Sequence, residues 1–181
     1  MNILLHCCCG PCACGVIPRL QELGHTYGCF FYNPNIHPYQ EHKARKNSFI
    51  TLMEEWRIPY YLNDAYPLEQ WLAAVADAPQ SRCRYCYENR LQAAAALAKR
   101  LQYDAFSTTL LVSPYQNQQL IREVGEAMGE KFGVPFFFED FRPGFRPGQA
   151  LAREQQLYMQ KYCGCIYSEK ERYCKKKEVA L

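Results

Sequence analysis

Five of the eleven cysteines fall within eight residues, in Leu5-His6-Cys7-Cys8-Cys9-Gly10-Pro11-Cys12-Ala13-Cys14-Gly15. Thiolates repel one another and oxidise readily, so a group this dense is seldom packing material. Its usual roles are a disulfide framework, a metal or iron–sulfur site, or redox catalysis. Cys8, Cys9 and Cys12 can face one way if the backbone there is helical or tightly turned. Gly10 permits the turn, and Pro11 suits a first helical position. Backbone N–H groups at a helix start also favour the thiolate. A second set, Cys83-Arg84-Tyr85-Cys86, has the two-residue spacing that puts both sulfurs on one metal or cluster, a spacing shared with thioredoxin-like redox pairs. A third, Cys163-Gly164-Cys165, turns both sulfurs to one side if the segment is extended. Together they offer more thiolates than one tetrahedral zinc needs. A cluster, or a cluster beside another metal, would use them. Cys29, in mid-strand, and Cys174, in a lysine-rich stretch, have no paired neighbour and read as a core and a surface residue. Cys7 and Cys14 read as turned away from the site.

These sets need elements to position them. Ile3-Leu4-Leu5 is a short apolar run that suits a buried parallel strand, and it leads straight into the cysteines. A helix is expected from Val16 to Leu23 with Gly24 as its stop, then a strand from Thr26 to Tyr32. Helical patterning from Tyr39 to Trp56, a strand from Ile58 to Leu62 and a helix from Leu68 to Ala76 come next. The segment 77–81 reads as a loop delivering Cys83 and Cys86, followed by the helix-favouring run Leu91 to Ala98. Strands are expected at Asp104 to Thr108 and Val134 to Phe138, and helices at Gln116 to Lys131 and Leu151 to Tyr162. Alternating strands and helices imply an α/β fold, a mostly parallel sheet flanked by helices, in one domain over residues 1–181. Ligands in such sheets sit beyond the C-terminal strand ends, where the first cysteine group falls.

Two polar stretches accompany the cysteines. Hydroxyls in Ser107-Thr108-Thr109-Leu110-Leu111-Val112-Ser113-Pro114-Tyr115 can hold phosphate or ribose, or can cap a strand end. Asp140-Phe141-Arg142-Pro143-Gly144-Phe145-Arg146 mixes arginine with aromatics, which suits base stacking and phosphate contact as well as a packed surface turn. Basic groups at His42, Lys43, Arg45 and Lys46, at Arg142 and Arg146, and at Lys175, Lys176 and Lys177 can hold phosphates or form a solvated face. A net charge of +3 over 181 residues neither demands nor excludes nucleic acid. The N-terminus has no basic region followed by a long apolar run, and no stretch approaches a membrane span, so the expected compartment is the reducing cytoplasm, with no membrane partner.

Taken in order, His6-x-Cys8-Cys9-Gly10-Pro11-Cys12, Cys83-x-x-Cys86-Tyr87 with Arg90-Leu91, Ser107-Thr108-Thr109-Leu110 with Ser113-Pro114-Tyr115, Asp140-Phe141-Arg142 and Tyr162-Cys163-Gly164-Cys165 resemble the QueH family of epoxyqueuosine reductases. The resemblance runs from residue 6 to about 168. It implies a HUP-like nucleotide-binding architecture. It also implies cobalamin-independent reduction of epoxyqueuosine to queuosine at the wobble position of tRNA anticodons. The implied cofactors are a [4Fe–4S] cluster and an adjacent mononuclear metal, expected to be iron. The implied partners are epoxyqueuosine-containing tRNA and an electron donor such as a ferredoxin or flavodoxin. Carried over residue by residue, Cys8, Cys9, Cys83, Cys86, Cys163 and Cys165 belong to the metallocentre. Cys12 stands where some members have an aspartate and is expected to bind the second metal; the division of sulfurs between the two stays open. Tyr115, His6 and Asp140 are candidates for protonation. The alternative is a non-catalytic metal-binding or redox-sensing cysteine protein. An ATP-using tRNA thiolation enzyme would instead carry a glycine-rich phosphate loop after the first strand, where this chain has cysteines.

Overall fold

Ile3, Leu4 and Leu5 are wholly buried in β1 (Asn2–Cys7), as an apolar run in a sheet covered on both faces must be. The computed structural model describes residues 1–174, so the Lys175-Lys176-Lys177 group lies outside the described residues. β2 (Thr26–Phe31), β3 (Tyr60–Leu62) and β4 (Ala105–Thr108) complete a four-stranded sheet in the order β3-β2-β1-β4. Every pairing is parallel, with Leu5 opposite Cys29 on β2 and Ser107 on β4. The chain leaves β1 toward β2 on one side and returns to β4 on the other. The C-terminal ends of β1 and β4 therefore flank a topological switch point, the usual ligand position in open α/β sheets.

Seven helices surround the sheet among the described residues: α1 (Gly10–Glu22), α2 (Tyr39–Glu55), α3 (Leu68–Val75), α4 (Arg82–Arg100), α5 (Gln118–Phe132), α6 (Phe145–Glu154) and α7 (Ile166–Tyr173). None is long and apolar enough to cross a membrane. α1 starts six residues before the expected Val16, directly after Cys9, with Pro11 in its first turn. It lies against α6 with almost no side chain between them. A Cβ on Gly148 would lie 2.5 Å from Gly15 Cα, and one on Gly15 would lie 2.8 Å from Gly144 O.

Other boundaries depart from expectation. α4 begins at Arg82, nine residues before the expected Leu91, so Cys83 and Cys86 sit in its first two turns, directly after the 3-10 turn Pro79–Ser81 that closes the expected 77–81 loop. The helix expected from Leu151 to Tyr162 is α6, displaced toward Phe145, while 155–165 is irregular and α7 follows it. The expected strand at Val134 to Phe138 reduces to a parallel bridge between Phe136 and Phe106. Pro135 there cannot donate to a ladder, though its carbonyl accepts from Phe106 N at 3.1 Å.

Candidate metal centre

Cys8 and Cys9 leave the end of β1, and Cys12 follows on the first turn of α1. Their three sulfurs lie within 4.8 Å of one another, close enough for one metal ion, and all three residues are buried. Cys8 and Cys9 Sγ are 3.7 Å apart. The Cys8 thiol is held well below its ordinary pKa, first by hydrogen bonds from the Cys12 and Cys9 thiols and then by Thr109 and the Arg45 charge, against burial. Cys12 is pushed well up by donating to Cys8 and Cys9, and Cys9 is pushed up mainly by burial. The three thiols thus hydrogen-bond among themselves around Cys8, and a metal ion held there would displace their protons. Thr109 fixes the group, its Oγ1 accepting from Cys8 N at 3.1 Å and lying 3.5 Å from Cys8 Sγ. Of the expected roles for the hydroxyl stretch, Thr108 takes the capping one, accepting from Leu110 N.

The second group joins α4 to the segment before α7. Burial pushes Cys86 up to about 12, the Arg90 charge opposing and Cys163, Cys165 and Cys83 adding to the rise. Cys83 is raised by burial, then by Cys163 and Cys165, with Arg82 opposing. Cys83, Cys86, Cys163 and Cys165 therefore share one electrostatic neighbourhood. Hydrogen-bond donors are aimed at three of them: Arg90 Nη2 at Cys86 Sγ (3.0 Å), Gln116 Nε2 at Cys163 Sγ (3.2 Å) and Ser168 N at Cys165 Sγ (3.4 Å). Tyr87 OH donates to Gln116 Oε1 at 2.6 Å and so turns the amide N–H toward sulfur. Neutral thiols need no such donors; sulfur carrying negative charge does, and the donor set fits an iron–sulfur cluster.

Gly164 has φ of +147°, a region that favours glycine, and a Cβ there would meet Ile36 Cγ1 at 3.1 Å. Residues 161–165 form a run of bends and not the extended segment considered for Cys163 and Cys165, and of the two Cys163 is exposed and Cys165 buried. The segment is held from α2 instead. Arg45, 1% exposed, pairs with Glu41 Oε1 at 2.7 Å and donates to the carbonyls of Tyr162 and Cys163, both at 2.8 Å. Tyr158 OH also donates to Glu41. The 42–46 group is therefore no single solvated face, because His42 and Arg45 are buried while Lys43 is exposed.

A cavity of about 580 Å³ is lined by Cys8, Cys12 and Cys163 together. Arg45, Lys161 and Arg172 add positive charge to the lining, and Tyr115, Phe145 and Gln149 also line it. Tyr115 is 84% exposed, and its ring meets Phe145 edge-on at 6.0 Å. His6 lies outside the cavity lining, its ring nitrogens engaged by Thr108 Oγ1 (2.9 Å) and Tyr32 O (3.0 Å). Asp140 is held below the usual carboxylate range by hydrogen bonds from Arg142, and both are exposed. Asp140 lines a different cavity, beside Cys14. Of the three protonation candidates, Tyr115 lines the sulfur-walled cavity. Cys29 is a core residue and Cys174 is exposed, as their isolated positions imply; Cys7, on β1, and Cys14, on α1, are buried outside the three-sulfur group. Gln116 and Gln160, whose Nε2 lies 3.4 Å from Cys12 Sγ, carried no sequence signal, being single amides outside any spacing pattern.

Comparison with known proteins gives a consistent result. Residues 3–171 match the family model described as epoxyqueuosine reductase QueH. The chain is 34% identical to the epoxyqueuosine reductase QueH of Dehalococcoides mccartyi over 174 residues, 96% of each chain. It is 33% identical to that of Thermotoga maritima over 188 residues, 99% of this chain and 96% of the other. Among solved structures, a predicted subunit of tRNA methyltransferase from Methanocaldococcus jannaschii superposes with a TM-score of 0.58 at 12% identity, covering 85% of this chain and 76% of that one, a likeness of fold alone.

Proposed function

Since this chain belongs to the QueH family of epoxyqueuosine reductases, we propose that it reduces epoxyqueuosine to queuosine in the anticodon of tRNA. The observation that carries this reading is the single cavity walled by sulfurs of both cysteine groups and flanked by basic and aromatic side chains. In this reading Cys83, Cys86, Cys163 and Cys165 hold a [4Fe–4S] cluster, and Cys8, Cys9 and Cys12 hold an adjacent iron. The bound metals would supply electrons one at a time and Lewis-acid contact for the leaving oxygen. Two electrons and two protons convert the epoxide to the ring double bond, with oxygen lost as water. The electrons come from a donor of the ferredoxin or flavodoxin class.

The chain's own residues do the binding and the orienting. A wobble base is single-stranded and can be splayed into a cavity of this size. Tyr115 and Phe145 offer it rings, and Lys161 and Arg172 in the same lining offer positive charge to the backbone phosphates. Gln116 and Gln160 hold their sulfurs with N–H donors, so the thiolates need not reorganise as charge changes. Tyr115 is the hydroxyl placed to hand a proton to a bound substrate. Action on tRNA and reduced thiols together favour a cytoplasmic site of work.

The test is anaerobic purification with iron and acid-labile sulfide measured, followed by assay on epoxyqueuosine-containing tRNA with a competent donor. Queuosine formation is expected. A fully loaded protein that forms none overturns the enzymatic reading. Bound zinc without sulfide would favour the non-catalytic alternative.

A further inference from the structure

We propose that Arg90 is the fixed positive charge that sets the reduction potential of the sulfur-bound centre, acting through Cys86; this rests on the cluster assignment above. Arg90 is 2% exposed and lies one helical turn after Cys86 on α4. Its Nη2 donates to Cys86 Sγ at 3.0 Å and its Nε to Cys86 O at 3.2 Å. Its Nη1 reaches Asn33 Oδ1 at 3.4 Å, and Asn33 donates in turn to Cys7 O at 2.9 Å, so the guanidinium is tied to the end of β1.

What Arg90 lacks is a carboxylate. No Asp or Glu forms an ion pair with it among the described residues. The other deeply buried arginine, Arg45, has Glu41. A guanidinium buried without an anion is strongly destabilising, so the compensating charge must come from its surroundings. Those surroundings are sulfur: the guanidinium donates straight to Cys86 Sγ at 3.0 Å, a ligand of the proposed cluster. Gln116, which donates to Cys163, and the Ser168 backbone, which donates to Cys165, are neutral, and the one charged side chain that also reaches Cys165 is Arg82. Arg82, near Cys165, is paired with Glu171 at 2.5 Å.

The redox consequence follows from charge. One electron passes from the donor, which is oxidised by one unit, to the centre, which becomes more negative by one. Arg90 stays protonated throughout, so no proton moves with that electron at this position. A fixed cation in a low-dielectric interior stabilises the reduced form more than the oxidised form. Arg90 touches no substrate and is a positioning residue for charge.

The experiment compares wild type, Arg90→Lys and Arg90→Met after anaerobic reconstitution. It reads iron and sulfide content and the midpoint potential by EPR-monitored titration. The expected result is a more negative midpoint in Arg90→Met and recovery toward the wild-type value in Arg90→Lys. A fully loaded Arg90→Met with the wild-type midpoint overturns the proposal. If Arg90→Met fails to load, melting of the metal-free proteins decides. A metal-free Arg90→Met that melts no lower than wild type, with Arg90→Lys still loading, supports the charge role. A lower melt, or an Arg90→Lys that also fails to load, shows a merely structural role and overturns it. Wild type that takes up no iron and sulfide would instead remove the cluster assignment itself, and this proposal with it.

Discussion

Replacing Arg45 with methionine tests how the segment bearing Cys163 and Cys165 is held. Arg45 binds three acceptors at once: Glu41 at 2.7 Å and the carbonyls of Tyr162 and Cys163 at 2.8 Å. Arg45→Met keeps the apolar stem but leaves Glu41, 8% exposed, with only the Tyr158 hydroxyl among its described partners. Removing one partner of a buried ion pair costs about 3–5 kcal/mol, because the other charge is stranded. The two lost carbonyl bonds fall within the same disruption and are not added separately. At roughly 2–4 °C per kcal/mol for a chain of this length, the metal-free protein should melt about 6–20 °C lower. The assay is urea and thermal unfolding under reductant, with a second variant, Glu41→Gln/Arg45→Met. Neutralising the stranded carboxylate should recover more than half of the loss. A single-variant cost below about 1 kcal/mol, or a double variant no better than the single, would refute the reasoning.

Gly164→Ala should cost about 1–3 kcal/mol, because φ of +147° is unfavourable for any side chain and the new Cβ presses on Ile36; denaturant melts measure it, and iron uptake should fall with it. Cys12→Ala should weaken cobalt(II) binding and reduce the thiolate charge-transfer absorption of that site. Cys14→Ala should leave that absorption intact at a stability cost of about 1 kcal/mol, since Cys14 is buried outside the three-sulfur group. His6 is pushed down to about 4 by burial and by Arg90, so it is neutral in the folded protein and gains a proton on unfolding at pH values below its ordinary 6.5. Its contribution is complete above pH 6.5 and fades as pH falls toward 4, an effect of roughly 3 kcal/mol, and His6→Gln should flatten the stability profile in that window.

The β1–α1 unit was legible because an apolar run, a turn glycine and an early proline all point the same way. The start of α4 was less so. Arg82 to Arg90 lacks the alanine run that marks the later turns, so the helical signal is strong only from Leu91, although α4 already holds Cys83 and Cys86. α6 starts six residues before the expected Leu151, and Pro147 and Gly148 lie inside it. The proline is tolerated in the first turn, and the glycine is where the helix meets Gly15. The cysteines announced the site by number and spacing. Arg45, Gln116 and Gln160 did not, because a hydrogen bond to sulfur or to a distant carbonyl leaves no periodic trace, and Arg90 was visible only as part of a motif.

The glycine contact between α1 and α6 has a consequence for binding. α1 carries Cys12, while α6 carries Phe145 and Gln149 on the cavity wall. Where two helices meet backbone to backbone, no side-chain rotamer lies between them to absorb a displacement. The aromatic wall and the sulfur-bearing turn must then move as one rigid body. A substrate arriving against Phe145 meets a surface whose spacing from the sulfurs was set during folding, so little reorganisation is left for the moment of binding.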